Sequence, residues 1–231
     1  MNIFVLFSFL VTFACGWLNV EFMLQYAPFL VTHQTGNITR IALAVTKGDF
    51  LLLWSLIGVI VAFIIGSALA GFINPKGDMN FTNTFGIFYI ILSGALFLFA
   101  LFAGGGYIFI LYGAFLSGYQ NGFMTQFKIR VSHLSGISSD AGIELGRFFK
   151  VLKRRNDRNK KTSLKALSWS FGFKMISLGA FVGGAIVGAV LTGVMPFIIV
   201  LAILSAFNVA IAFIYFKAAS VLRAEFERRE R

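Results

Sequence analysis

The chain alternates between long apolar stretches and short polar joints, and the apolar stretches have the length of membrane crossings. A bilayer core takes about 20 apolar residues per helix. On that measure six spans stand out: about 2–24, 50–72, 84–102, 107–127, 166–191 and a last one ending near Ser220. The joints carry turn chemistry. Pro28 lacks the N–H that a helix ladder needs and biases Ala27 away from helical dihedrals, which predicts a break after the first span. Asn74-Pro75-Lys76-Gly77-Asp78 reads as a turn, as do Gly104-Gly105-Gly106 and the stretch from Gly193 to Pro196. Two shorter helices are expected outside the spans, over about 38–45 and 139–152.

A six-residue stretch occurs twice, 100 residues apart: Val31-Thr32-His33-Gln34-Thr35-Gly36 and Val131-Ser132-His133-Leu134-Ser135-Gly136. The Val, His and Gly are identical, and both Thr/Ser exchanges keep a hydroxyl. The only two histidines of the chain occupy matching places. Upstream, Gly16-x-x-Asn19 recurs as Gly118-x-x-Asn121. Each copy follows the first span of a set of three, and copies separated by three crossings have opposite orientations. The fold expected is an all-α integral membrane protein. Its six transmembrane helices form two inverted three-helix repeats, with broken segments after helices 1 and 4. It forms a single transmembrane domain over 1–231, with repeat 1 at about 1–103 and repeat 2 at about 104–220. A basic linker, 153–165, and a charged tail, 221–231, complete it.

Composition agrees. Hydrophobic residues make up 58% of the chain and charged residues 13%, with a mean hydropathy of +0.84, too apolar for a soluble domain. A net charge of +11 would raise nucleic acid in a soluble protein, but here the placement decides. Eleven of the 20 Lys/Arg lie between Lys128 and Lys165, and five more from Lys217 onward. That clustering is a topology signal and an attraction to anionic lipid, and nucleic acid is not an expected partner. By the positive-inside rule the linker and both termini are cytoplasmic. The single cysteine, Cys15, excludes an internal disulfide. The first twenty residues lack a basic leader and read as a mature helix.

The polar residues inside this apolar frame are the candidates for chemistry. Thr32, Thr35, Asn37 and Thr39 in one segment, and Ser132, Ser135, Ser138 and Ser139 in the other, suit the cap of a half-helix pointing inward at an anion. An ordinary extramembrane loop capping a helix is the alternative. His33 and His133 are proton carriers, solute contacts or hydrogen-bonded structural groups. Two histidines are too few for zinc, so neither metal nor cofactor is expected. Glu21 lies inside the first span, where a charge costs roughly 2.5–3.5 kcal/mol on insertion scales and needs a partner or a role. Asp140 and Glu144 follow the second segment, and repeat alignment sets Arg40 opposite Asp140. Lys174 reads as a snorkelling lysine. Asn19 and Asn121 lie in flanking helices, near the two segments. Glycine faces at 66–71 and 183–188 suit close helix packing, within the bundle or at the seam of a homodimer. His133, Ser135 and Asp140 are the residue types of a hydrolase triad, yet no GxSxG turn accompanies them, and an enzyme is not expected.

Thr35-Gly36-Asn37 after a glycine-containing first helix resembles the TGN motif of the YoaK family of small bacterial membrane proteins. Gln120-Asn121-Gly122 and Ser135-Gly136 are similar to that family's QN(A/G) and distal TG(T/S) motifs. The chain departs at Asn19, where the family often carries Asp, and at Ser135, where it carries Thr. The resemblance implies a multi-pass bacterial inner-membrane protein without implying a substrate. The expected function is a transporter for a small solute or ion, its site between the two broken segments. A channel-like pore and a non-transporting scaffold are the alternatives. The substrate-binding or pore-lining set comprises Asn19, Glu21, His33, Thr35, Gly36 and Asn37 in the first half. Gln120, Asn121, His133, Ser135, Gly136 and Asp140 complete it in the second. If the segments cooperate, the two imidazoles approach one cavity. Reporter fusions at residues 78, 105, 158 and 231 are expected to read inside, outside, inside and inside. An outside signal at residue 158 overturns this topology.

Overall fold

All six apolar runs fold as helices close to the expected boundaries, with the two shorter helices between them. The computed structural model describes residues 3–27, 29–74, 83–102, 106–126, 134–153 and 160–230. Helices α1 (Ile3–Gln25), α3 (Phe50–Ile73) and α4 (Asn83–Phe102) form the first set, with α2 (Gln34–Lys47) after α1. Helices α5 (Tyr107–Gln126), α7 (Lys160–Val194) and α8 (Phe197–Glu230) form the second, with α6 (Leu134–Lys153) after α5. No strand is present among the described residues. The short helices α2 and α6 begin exactly one repeat length apart in sequence, at Gln34 and Leu134, four and five residues earlier than expected.

Five helices, α1, α3, α4, α7 and α8, are long and apolar enough to cross a membrane. Their mid-helix apolar side chains lie on the outside, among them Ile64, Ile91, Ile186 and Phe213, each about half exposed or more. Water would not tolerate such a surface on this scale, and hydrocarbon would. These helices point to a multi-pass membrane protein. The sixth expected span, α5, has 20 residues, about 30 Å of helix, but is more polar than the rest. The reason is its position. Most of its described residues are buried against α3, α4 and α1, so it has little lipid-facing surface to cover with apolar side chains.

Pairs of contacts give the helix directions. Along α1 and α7 the contacts advance together, from Phe13 beside Gly184 to Trp17 beside Gly188 and Glu21 beside Thr192, so these two helices run parallel. The same holds for α3 and α5, from Ser55 beside Tyr107 to Ser67 beside Gly118. Against α8, α1 runs antiparallel, with Phe7 on Tyr215 and Tyr26 on Phe197. Helix α4 runs antiparallel to α8, with Phe85 on Tyr215 and Tyr89 on Asn208. Helix α5 runs antiparallel to α1, with Gln120 at Cys15 and Phe109 at Phe22. Thus α1, α4 and α7 run one way, and α3, α5 and α8 the other. Exchanging α1, α2, α3 and α4 for α5, α6, α7 and α8 leaves the set of touching helix pairs unchanged: α1·α7 becomes α5·α3, α2·α3 becomes α6·α7, and α1·α8 becomes α5·α4.

The two parallel pairs are held at backbone distance. A β-carbon on Gly16 would collide with the carbonyl of Phe181, and one on Gly184 with the carbonyl of Phe13. In the other pair Gly118 meets the carbonyl of Phe63, and Gly66 that of Phe115. Every one of these four sites reads Phe-x-x-Gly, so each helix supplies both the notch and the carbonyl that fills its partner's notch. The glycines therefore serve packing inside the bundle. Gly188, the second residue of the GxxxG that could have marked a dimer seam, packs on Trp17 and Val20. Gly184→Ala and Gly66→Ala should each destabilise the protein by roughly 1–3 kcal/mol, the usual cost of overpacking. Gly179→Ala, which meets nothing within 4 Å, should leave the unfolding midpoint in detergent unchanged.

Candidate functional site

The chain between α1 and α2 turns back into the bundle. Helix α1 ends at Gln25, three residues before Pro28, as the missing N–H requires. The returning strand of backbone is then fixed at Asn19, whose Oδ1 accepts from the N–H of Thr32 at 3.3 Å. Asn19 stands six residues before the end of α1, about 9 Å down the helix axis. His33 follows and lays its ring on Phe181, with centroids 5.2 Å apart. Phe181 is thirteen residues from the end of α7. The segment before α2 is therefore held against α1 and α7 through Thr32 and His33, while α2 itself packs on α3.

Asn37 holds this break together. Its Oδ1 accepts from Leu30 N–H at 3.1 Å, and its Nδ2 donates to Leu30 carbonyl at 2.7 Å and to Gln34 Oε1 at 3.0 Å. Gln34 Nε2 donates to the carbonyl of Val31 at 3.1 Å. The buried Asn37 side chain thus satisfies both backbone groups of Leu30, which no helix or sheet ladder reaches. Gly36 lies beside it, with Leu30 Cδ1 2.6 Å from where a β-carbon would stand, a contact the leucine could relieve only by turning its side chain. The expected division of labour is altered here: Thr35 is exposed and its carbonyl accepts from Thr39, His33 does not cap α2 with its side chain, and Asn37 carries the bonds.

A second polar group crosses the middle of the bundle. Cys15 Sγ on α1 donates to Gln120 Oε1 on α5 at 3.1 Å. Gln120 Nε2 donates to the hydroxyl of Tyr89 on α4 at 2.7 Å, and that hydroxyl donates to Asn208 Oδ1 on α8 at 2.7 Å. Four helices are joined by one chain of neutral groups, all at most 1% exposed. Around it stand buried groups with no hydrogen-bond partner: the hydroxyls of Ser93, Ser117 and Ser205, and Asn208 Nδ2. Each serine lies one helical turn from a member of the chain, at Tyr89, Gln120 and Asn208 respectively, hence on the same helix face. Thr32 Oγ1, at the break, is buried without a partner as well.

The expected residues therefore separate into groups. Asn19, Gly36 and Asn37 build the break, with His33 at its inner end. Gln120 belongs to the central chain, one helical turn of α1 away from Asn19 through Cys15. Asn121 is buried beside it. Glu21 is fully buried elsewhere on α1, bonded by Trp17 and by Thr192 of α7. Asp140 is exposed on α6, which makes no contact with α2, so the pairing with Arg40 does not form. Gly136 lies in the first turn of α6. His133 and the side chain of Ser135 lie outside the described residues. Among the described residues, no cluster of three or more His, Cys, Asp or Glu could hold a metal ion.

Lys174 does not snorkel. It pairs with Glu144 of α6, and Ser170 joins both, with Lys174 Nζ donating to Ser170 Oγ at 3.1 Å. The α6–α7 hairpin brings a carboxylate to the lysine, so the ammonium need not reach past it to water. Burial raises the Glu144 carboxyl, but the bonds from Lys174 and Ser170 and the nearby Arg147 charge outweigh it and leave it below its ordinary range. Beyond this pair, a cleft between α6 and α7 is lined by Arg147, Lys150, Val151, Ser163, Ala166 and Leu167. It is open and its cations are exposed, so it is a surface feature separate from the central chain.

Sequence reasoning missed Cys15, Tyr89 and Asn208. A signal existed for Asn208, a lone amide in an apolar span. None existed for Tyr89, because tyrosine is unremarkable in a membrane helix. The family described as "Protein of unknown function (DUF1275)" matches residues 7–214. No curated protein and no solved structure matches the chain. Asn37→Ala should destabilise the fold by about 1–3 kcal/mol, the cost of leaving buried backbone groups unpaired. Thr35→Ala, at an exposed site, should change the unfolding midpoint little.

Proposed function

This chain belongs to the family described as proteins of unknown function (DUF1275), and on that premise we propose that it is a membrane transporter for a small, uncharged polar solute. The observation that carries this reading is the central chain Cys15–Gln120–Tyr89–Asn208 with its unpartnered neighbours. In a bilayer a buried polar group without a partner costs several kcal/mol, so four groups with spare hydrogen-bonding capacity beside one polar chain supply what a polar solute needs in order to bind. The groups are hydroxyls and amides without a formal charge, which favours a neutral solute over an ion. The solute site sits between the two halves, and the segment before α2 borders it through Asn19 and His33.

The architecture of this proposal is six crossings arranged as two inverted repeats. The alternating helix directions, α5 included, support it. So do the exchange of touching pairs and the reciprocal Phe-x-x-Gly notches. Rocking of one half against the other about those notches would expose the central chain to each side in turn. The protein resides in the inner membrane with both termini and the 153–165 linker cytoplasmic, and Arg147 and Lys150 of the α6–α7 cleft face anionic lipid there. It works without catalysis or cofactor.

The test is a panel of small neutral solutes screened by thermal shift on purified protein, followed by uptake into proteoliposomes. A saturating ligand at about 100 times its Kd adds about 2.7 kcal/mol of stability. Saturable shifts and uptake are expected, and Asn208→Leu should abolish both while the protein stays folded. Single-channel currents without saturation would identify a pore instead, and the absence of both would identify a scaffold.

A further inference from the structure

We propose that Glu21 is a proton-binding site, occupied in this conformation, and that its proton latches α7 to α1. Glu21 is fully buried in α1. Trp17 Nε1 donates to its Oε1 at 3.0 Å. The hydroxyl of Thr192 lies 2.8 Å from Oε1 and 2.7 Å from Oε2, and 2.9 Å from the carbonyl of Gly188. Counting hydrogens decides between the two charge states. An indole supplies one hydrogen, a hydroxyl one, and a carboxyl one only when it is protonated. In the protonated acid Trp17 donates to Oε1, the O–H on Oε2 donates to Thr192 Oγ1, and Thr192 keeps its own hydrogen for Gly188, the usual bond of a helical threonine. The 2.8 Å approach of Thr192 to Oε1 is a close contact with the same carboxyl and not a bond. The ionised form draws the Thr192 hydrogen to the carboxylate, gives up its bond to Gly188, and leaves a full negative charge buried in the bundle.

Among the described residues no cation is in place to hold that charge. Helix α7 carries no charged residue between Lys174 and Val194, α5 carries none, and α8 carries none from Phe197 to Lys217. Arg40 and Lys47 belong to α2, which packs on α3 and not on α1. The nearest titratable group along the chain is Tyr26, one residue past the end of α1, whose ring lies among Phe22, Phe109 and Phe197. On α5, and on α8 before Lys217, the titratable groups are phenols, Tyr107, Tyr112, Tyr119 and Tyr215, none of which can be positive. His33 rests on Phe181, eleven residues or about 16 Å along α7 from Thr192. An isolated buried carboxyl in such surroundings keeps its proton.

The same geometry defines the release step. Glu21 and Thr192 sit four and two residues from the helix ends at Gln25 and Val194, on the side of the bundle where α1 and α7 finish. Parting these two ends admits water to the carboxyl, the O–H bond breaks, the proton leaves to that water, and the carboxylate is hydrated. Closing the ends requires the proton to return. Coupling of this cycle to solute movement rests on the transporter reading, whereas the proton site does not.

The experiment is infrared spectroscopy of the purified protein in lipid vesicles, in sodium-free potassium buffer, titrated from acid through neutral pH. A protonated-carboxyl C=O band is expected to persist at neutral pH in the native protein, to vanish in Glu21→Gln, and to shift in frequency in Thr192→Val. The titration of the native protein and the Thr192→Val shift need no Glu21 variant, so a misfolded Glu21→Gln leaves the proposal open to refutation. No protonated-carboxyl band at neutral pH overturns it, as does a band that Thr192→Val leaves unmoved. A band that disappears when sodium replaces potassium also overturns it, because the oxygens of Glu21, Thr192 and Gly188 would then be a sodium site. Absence of solute uptake with the band present would count against the transporter and not against the proton site.

Discussion

Contact between glycine and a facing carbonyl is the constraint on which the rest of this bundle depends. Helices α1 and α7, and α3 and α5, approach until each glycine notch is filled by the partner's backbone, a distance that any side chain at Gly16, Gly66, Gly118 or Gly184 would forbid. Two consequences follow. Lipid offers no hydrophobic drive for helices to associate, so contact area gained at backbone distance supplies the attraction instead. The crossings also fix the level of everything nearby, because Cys15 and Gln120 are neighbours of Gly16 and Gly118 and meet only where those crossings set them.

The second constraint is that no backbone group may go unmet in hydrocarbon. The chain enters the bundle between α1 and α2 because Asn37 takes both groups of Leu30 and Asn19 takes Thr32. Those bonds are spent on the fold, which separates them in role from the central chain, where Ser93, Ser117, Ser205 and Asn208 keep unmet capacity. The two clusters lie close on α1, and the break keeps only Thr32 Oγ1 unmet where the central chain keeps four such groups, which is why the proposed solute is assigned to the central chain.

Much of this was legible in the residues. Apolar length alone located the six long helices, since hydrocarbon thickness sets their size whatever they pack against. The shared histidine segment predicted matching halves, and the starts of α2 and α6 keep its spacing. Other features were hidden by commonness. Phe-x-x-Gly occurs five times, four of them at these crossings, and among 29 phenylalanines and 24 glycines it carries no signal until the helices are crossed. Tyr89, Gln120 and Asn208 share no spacing, so only tertiary structure makes them one group. Lys174 was misread because a lysine near a span's end has water within reach, and the carboxylate that intercepts it comes from a separate helix.

The interlocks also dictate the order of assembly. Helix α1 leaves the ribosome first, yet its principal neighbour, α7, is made only after residue 160, and α3 waits for α5. Through most of synthesis the notch at Gly16 and the carboxyl of Glu21 have no protein against them. The nascent first half is consequently an unfinished surface, held by the insertion machinery or by lipid until α7 arrives to cover it. Neither half can be complete alone, and a ribosome that stops between α6 and α7 leaves in the membrane a fragment with its tightest contact surface still bare.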